Sequence, residues 1–250
     1  MPPFCELVQI VQFSILYHKT TESYIEYVIL FTNVNMNINR RAYRILCYGD
    51  SNTWGLVPGK DERYVVDERW TGVLQKILGD GYEIIEEGLC GRTTNLDDAN
   101  REGRNGAVYL KPCLESHSTL DLVIIFLGTN DLKQRYNRGP SQVADGIEEL
   151  VKIVQDPEYN YGKIPQIIVL SPPVVVDTFG EAKEKYAGGG EKSRQVSEFI
   201  KQVADRYDSW FIDLAEIVES SQIDGFHLEK EAHRKIAEEV VRKVRSLAAK

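Results

Sequence analysis

Cysteine is scarce in this 250-residue chain, and its spacing says little: Cys5, Cys47, Cys90 and Cys113 form no CxxC pair and show no metal-ligand spacing. A disulfide framework is therefore not expected in a chain of this size. Two of the four sit in or beside apolar, strand-like runs, where cysteine behaves as a small hydrophobe. Reduced thiols, a cytoplasmic location, and no metal or cofactor are the expectation. No run of about 18 uncharged apolar residues is present, which argues against a membrane-spanning helix. The amino-terminal stretch lacks a basic start and is interrupted by Glu6, so it makes a poor secretory signal. Basic patches interleaved with aromatics are missing, and a net charge of -8 with a pI near 5.2 is unsuited to neutralising nucleic-acid phosphates. No Gly-x4-Gly-Lys-Ser/Thr loop, repeat or low-complexity tract occurs.

What is present fits an ordinary globular protein: 42% hydrophobic and 27% charged residues, with length for one domain or one domain and an appendage. Residues 1–43 are rich in aromatic, β-branched and Asn residues and lack any strand–helix rhythm, so they are expected to be an extension dispensable for folding. From Arg44 onward strands are expected at 44–48, 82–86, 121–127, 166–171 and 209–213. Leu122-Val-Ile-Ile-Phe-Leu127 and Gln166-Ile-Ile-Val-Leu170 are continuous apolar runs, as parallel strands covered on both faces should be. Amphipathic helices are expected near 69–79, 107–117, 141–156, 192–207 and 231–248. The alternation predicts an α/β protein, a three-layer α/β/α sandwich on a five-stranded, mainly parallel sheet. Residues 95–106 and 172–191 are expected as long loops, the second closing on Gly188-Gly189-Gly190.

Four polar motifs follow strand-like runs: Gly49-Asp50-Ser51, Gly88-Leu-Cys-Gly91-Arg92, Gly128-Thr129-Asn130-Asp131 and, after a short helical stretch, Asp224-Gly-Phe-His227. In an open α/β sheet the strand carboxyl ends share one edge, where ligands bind, so these motifs should converge. Ser51 stands at a strand-to-helix turn, where it is either a helix cap or a nucleophile; a serine hydroxyl becomes a nucleophile only beside a base. Of four histidines, only His227 has an acid three residues earlier in a loop after a strand. Asp224 can reach it across a single turn and would fix the imidazole tautomer, with Asp213 as the alternative acid. Activity governed by such a base should rise with pH around the imidazole reference value of ~6.5. Asn130 offers a side-chain amide and Gly91 a backbone N–H as oxyanion donors, although Gly91 could be only a turn residue. Asp50 and Asp131 are expected to support these turns by hydrogen bonding.

These blocks, in this order, resemble the SGNH (GDSL-type) hydrolases over residues 44–250. Glu86-Glu-Gly-Leu-Cys-Gly-Arg-Thr-Thr-Asn95 and Ser171-Pro172-Pro173 are similar to the arylesterase/acyltransferase branch, some members of which are octamers. The resemblance implies the flavodoxin-like SGNH fold, Ser51 as nucleophile, His227 as base and Asp224 as orienting acid. It implies an oxyanion hole made of the Ser51 and Gly91 amides and the Asn130 carboxamide. A small-molecule ester substrate, no nucleic-acid or membrane partner, and a homo-oligomer are the corresponding expectations. The activity implied is hydrolysis of short-chain acyl esters, aryl esters included, with acyl transfer to alcohols; sugar O-acetyl groups, lysolipids and thioesters are alternative substrates for the same triad. Trp54, Leu56 and Phe226 flank the motifs as candidate substrate contacts, although Trp54 could equally be core packing. Asn52 replaces the Leu that names the motif, and Leu56 stands where this branch can carry a second Trp. Both should line or border the pocket. A binding module that had lost turnover would lack one of these positions, and every one is filled.

Overall fold

The computed structural model describes residues 39–248. The reading of an amino-terminal extension falls mostly outside them. The compact unit reaches back to Asn39, and Tyr43, assigned above to the extension, already pairs with Tyr82 in the sheet.

Five strands, β1 (Tyr43–Gly49), β2 (Tyr82–Gly88), β3 (Leu122–Phe126), β4 (Gln166–Ser171) and β5 (Trp210–Asp213), make one sheet in the order β2-β1-β3-β4-β5. All four pairings are parallel. The inner strands β1, β3 and β4 are buried over nearly their whole length, as their apolar runs require. Edge strand β2 is half-buried and carries Glu83, Glu86 and Glu87; Arg69 and Arg63 hold Glu86 at 2.6 Å and 3.3 Å.

Successive strand residues point to opposite faces, and each face collects its own core. Leu46, Tyr48, Val123, Ile125, Ile167 and Val169 pack under α3 (Gly106–His117), α4 (Pro140–Gln155) and α6 (Gly189–Arg206). Ile45, Cys47, Ile124, Phe126, Ile168 and Leu170 pack under α2 (Trp70–Leu78) and α7 (Lys230–Ala248). The result is the three-layer sandwich. Two short helices, α1 (Ser51–Trp54) and α5 (Ala182–Lys185), lie at the carboxyl edge of the sheet or in its loops.

The stretch 172–191 is not one long loop. It contains α5, and Gly189 and Gly190 are already the first turn of α6, entered through Gly188 in the left-handed region at φ 74°. A side chain on Gly190 would start 2.5 Å from Asp177 Oδ1 and 3.0 Å from the Val175 carbonyl. The glycines therefore let the helix start pack against the chain leaving β4, and their lack of an apolar face hides the helix from periodicity. The strand order reverses between β1 and β3, the place where open α/β sheets bind ligands. Ser51 follows one of these strands and Asn130 the other.

Candidate active site

Chain direction at the end of β1 is set by Asp50. Its carboxylate accepts from the Asn52 N–H at 2.9 Å and caps α1, which puts Ser51 first in that helix. Gly88, ending β2, lets this turn come close, because a Cβ there would run into the backbone of Trp54. Arg92 ties the next loop down: its guanidinium is buried, lies over Tyr48 at 4.1 Å and donates to the Gly49 and Glu87 carbonyls. Arg92 belongs to a block quoted above, but nothing local in the sequence marks it as a strut.

The Asp224–His227 loop is a self-contained hydrogen-bonded turn. Asp224 Oδ1 accepts from the Phe226 and His227 amides at 3.2 Å and 3.0 Å, and Oδ2 from His227 Nδ1 at 2.7 Å and the Gly59 amide at 3.1 Å. Burial works to raise this carboxyl, but the bonds from His227 and the backbone amides outweigh it and hold it at about 2. Gly225 takes φ 90° and leaves no room for a side chain against the Val176 carbonyl and Ala182. The segment after β4 thus braces the loop from behind, with the Val176 amide donating to the Gly225 carbonyl at 2.8 Å and the Ala182 amide to the Asp224 carbonyl at 3.0 Å.

Across the cavity, His227 Nε2 lies 3.0 Å from Ser51 Oγ. The imidazole is thus held by a carboxylate on one nitrogen and presents the other to a hydroxyl, the geometry in which a serine can lose its proton as it attacks. Asp213 is not brought to His227. It ends β5 and accepts from Ser171 Oγ at 2.7 Å, Ser197 Oγ and the Ala215 amide, so it braces the sheet edge.

Asn130 opens the turn after β3, 4% exposed, and faces the same cavity. Its carboxamide donates to Asp50 Oδ2 at 3.1 Å and to the Arg92 carbonyl at 3.0 Å. Both N–H bonds are therefore engaged, and donation to an oxyanion requires sharing or exchanging one of them. The Ser51 and Gly91 amides have no acceptor among the described residues. Burial raises the Asp50 carboxyl to about 6, with the Asn52 amide and His227 pulling the other way. Asp131 is likewise raised to about 6 by burial, against bonds from Thr94, which its carboxylate accepts from both N–H and hydroxyl.

The cavity measures about 490 Å³ and is lined by Ser51, Gly91, Asn130, Asp224 and His227 together with Trp54, Leu56 and Phe226. Trp54 faces the void rather than the core. Asn52 does not line it: its side chain is buried and donates to the Phe226 carbonyl at 3.2 Å, joining the Ser51 turn to the His227 loop. Lys133, Arg101 and Lys185 also line the void and carry no signal in the sequence pattern. Elsewhere, Glu87, Cys113 and His117 form a group whose ligand atoms lie within 4.8 Å of one another. Cys113 and His117 are one turn apart on α3 and converge on β2 only through the fold. Arg92, 4.0 Å from Glu87, already supplies positive charge there, and His117 bonds Glu87 at 2.9 Å. Cys47, Cys90 and Cys113 are free thiols, and no helix among the described residues is long and apolar enough to cross a membrane.

A model of the GDSL-like Lipase/Acylhydrolase family matches residues 47–235. Among solved structures, a carbohydrate acetylesterase from Sinorhizobium meliloti is 40% identical with a TM-score of 0.77, covering 82% of this chain and 99% of that one. The aryl esterase of M. smegmatis is 39% identical with a TM-score of 0.78, covering 82% and 100% respectively. Among curated proteins, an acetylxylan esterase from Xylanibacter ruminicola is 31% identical over 118 residues, 46% of this chain but only 22% of that protein's length.

Proposed function

The chain belongs to the GDSL-like lipase/acylhydrolase family and is a carboxylic ester hydrolase, and from that premise we propose that it cleaves short-chain acyl esters, aryl esters included, through Ser51, His227 and Asp224. The observation that carries this reading is the run of contacts from Asp224 Oδ2 to His227 Nδ1, 2.7 Å, and from His227 Nε2 to Ser51 Oγ, 3.0 Å, inside the cavity. Ser51 Oγ bonds to the acyl carbon as its proton passes to His227 Nε2. Asp224 keeps the proton of the imidazole on Nδ1 and stabilises the imidazolium that forms, remaining ionised itself. The amides of Ser51 and Gly91 receive the negative oxygen, joined by Asn130 once its carboxamide gives up one of its present acceptors. Collapse of the intermediate breaks the ester C–O bond, and His227 returns the proton to the departing alcohol. Water, or a second alcohol, then attacks the acyl-Ser51 ester with His227 again as base.

Removal of an acetyl group from a sugar hydroxyl is a second reading with the same residues, favoured by the similarity to a carbohydrate acetylesterase. A homo-oligomer is part of the proposal and is tested by light scattering. The Ser51→Ala protein is expected to lose about 10⁴-fold or more of its p-nitrophenyl acetate turnover. A variant with wild-type rate would remove Ser51 from the mechanism.

A further inference from the structure

Beside the cavity at Ser51 lies a second hollow of about 420 Å³ lined by Arg101, Lys133, Gln134, Arg135, Glu184 and Lys185; Arg101, Lys133 and Lys185 line both. Their charges are not equally compensated. Arg135 is paired with Asp98 at 2.6 Å, and Lys185 with Glu181. Of the acids lining the two hollows, Asp224 is committed to His227, while Asp61 and Glu184 are exposed and each lines only one of the two. Neither the Arg101 guanidinium nor the Lys133 ammonium has an ion pair or hydrogen bond among the described residues. Lys133 is half-buried, with the Tyr186 ring centre 6.0 Å from its ammonium and Asp50 and Asp98 acting on it without direct contact, while Arg101 is exposed.

Placement makes these two cations relevant to the reaction. Lys133 stands three residues after Asn130, at the end of the same 3-10 turn. Arg101 Nη1 lies 3.0 Å from where a side chain on Gly91 would begin. Two cations without a direct partner therefore flank Asn130 and Gly91, beside both hollows. Keeping a half-buried ammonium without a partner costs free energy that a bound anion would recover. Burial lowers Lys133 to about 8, with Arg135 and Lys185 pushing the same way and Asp50 and Asp98 opposing, so it is charged at neutral pH.

Resting on the assignment of Ser51 as nucleophile, we propose that Arg101 and Lys133 form a subsite for an anionic group, and that the preferred substrates are acyl esters carrying a carboxylate or phosphate a few atoms from the scissile carbonyl. The anion can sit on the acyl half or on the alcohol half, and paired substrates separate the two. On the alcohol side, 4-acetoxybenzoate is compared with its methyl ester. On the acyl side, 4-nitrophenyl hemisuccinate is compared with its methyl ester. In at least one pair the anionic member is expected to show about tenfold higher kcat/KM, chiefly through KM, a difference of about 1.4 kcal/mol.

That ratio should fall toward unity in the Arg101→Gln/Lys133→Gln double variant and persist in Lys133→Arg. It should shrink as salt shortens the screening length from ~30 Å at 0.01 M to ~3 Å at 1 M. In the wild-type protein it should also decline above pH 8 as Lys133 loses its proton, a decline that Lys133→Arg abolishes. A neutral preference in both pairs, or an anionic preference that survives the double substitution, overturns the subsite. Labelling by a neutral fluorophosphonate separates the two claims: label without anion preference sinks the subsite alone, and no label sinks both.

Discussion

The loop carrying Asp224 and His227 and the turns carrying Ser51 and Asn130 meet at one cavity, yet each uses its buried carboxylate differently. Asp224 accepts four hydrogen bonds and is held at about 2 despite burial. Asp50 is fully buried, bonds the Asn52 amide and the Asn130 carboxamide, and is raised to about 6. The sign of their effect on stability follows. Asp224 contributes stability above its ordinary value of 3.8, lost as pH falls toward 2. Asp50, tighter for its proton in the folded protein, costs stability that grows as pH rises from 3.8 through 6 and is fully present at neutral pH. The loop carrying His227 is stabilised by its buried charge, whereas the turns carrying Ser51 and Asn130 carry theirs at a loss. That same carboxylate accepts from the Asn130 carboxamide at 3.1 Å and so orients it.

Two substitutions bear on that contrast. Asp224→Asn should lower kcat by about 10⁴, because the imidazole loses the acceptor that fixes its tautomer, and should also lower the melting temperature. Steady-state rates and calorimetry at pH 8 check both, and a stabilised variant would erase the contrast. Asp50→Asn should cost far less activity, about tenfold, through misplacement of the Asn130 carboxamide. Its melting temperature should rise above wild type at pH 8, and the gap should close as pH falls below 3.8, where Asp50 becomes protonated in the unfolded chain as well as in the folded one. A variant that melts lower at pH 8 would show that the Asp50 charge is compensated after all.

Much of this architecture is legible in the sequence because parallel strands under helices must be apolar throughout. Leu122–Phe126 and Gln166–Ser171 accordingly sit where their runs place them. Motifs at strand ends are legible for a related reason: β1 and β3 are neighbours, so Ser51 and Asn130 reach one cavity although they are far apart in the chain. The start of α6 at Gly189 was hidden because glycines show no amphipathic face. Asp213 resembled an orienting acid because it ends a strand, and only the positions of Ser171 and Ser197 reveal its structural task. That Arg101 and Lys133 lack a direct partner among the described residues is not legible at all. It depends on which acids find other partners, such as Asp98 with Arg135, 37 residues away.

The most direct test is to treat the wild-type protein with a fluorophosphonate and map the adduct by peptide mass spectrometry. One modification on the peptide containing Ser51, abolished in Ser51→Ala and greatly slowed in His227→Ala, is the predicted result. An unmodified Ser51, or an adduct on another residue with Ser51 untouched, would contradict the account.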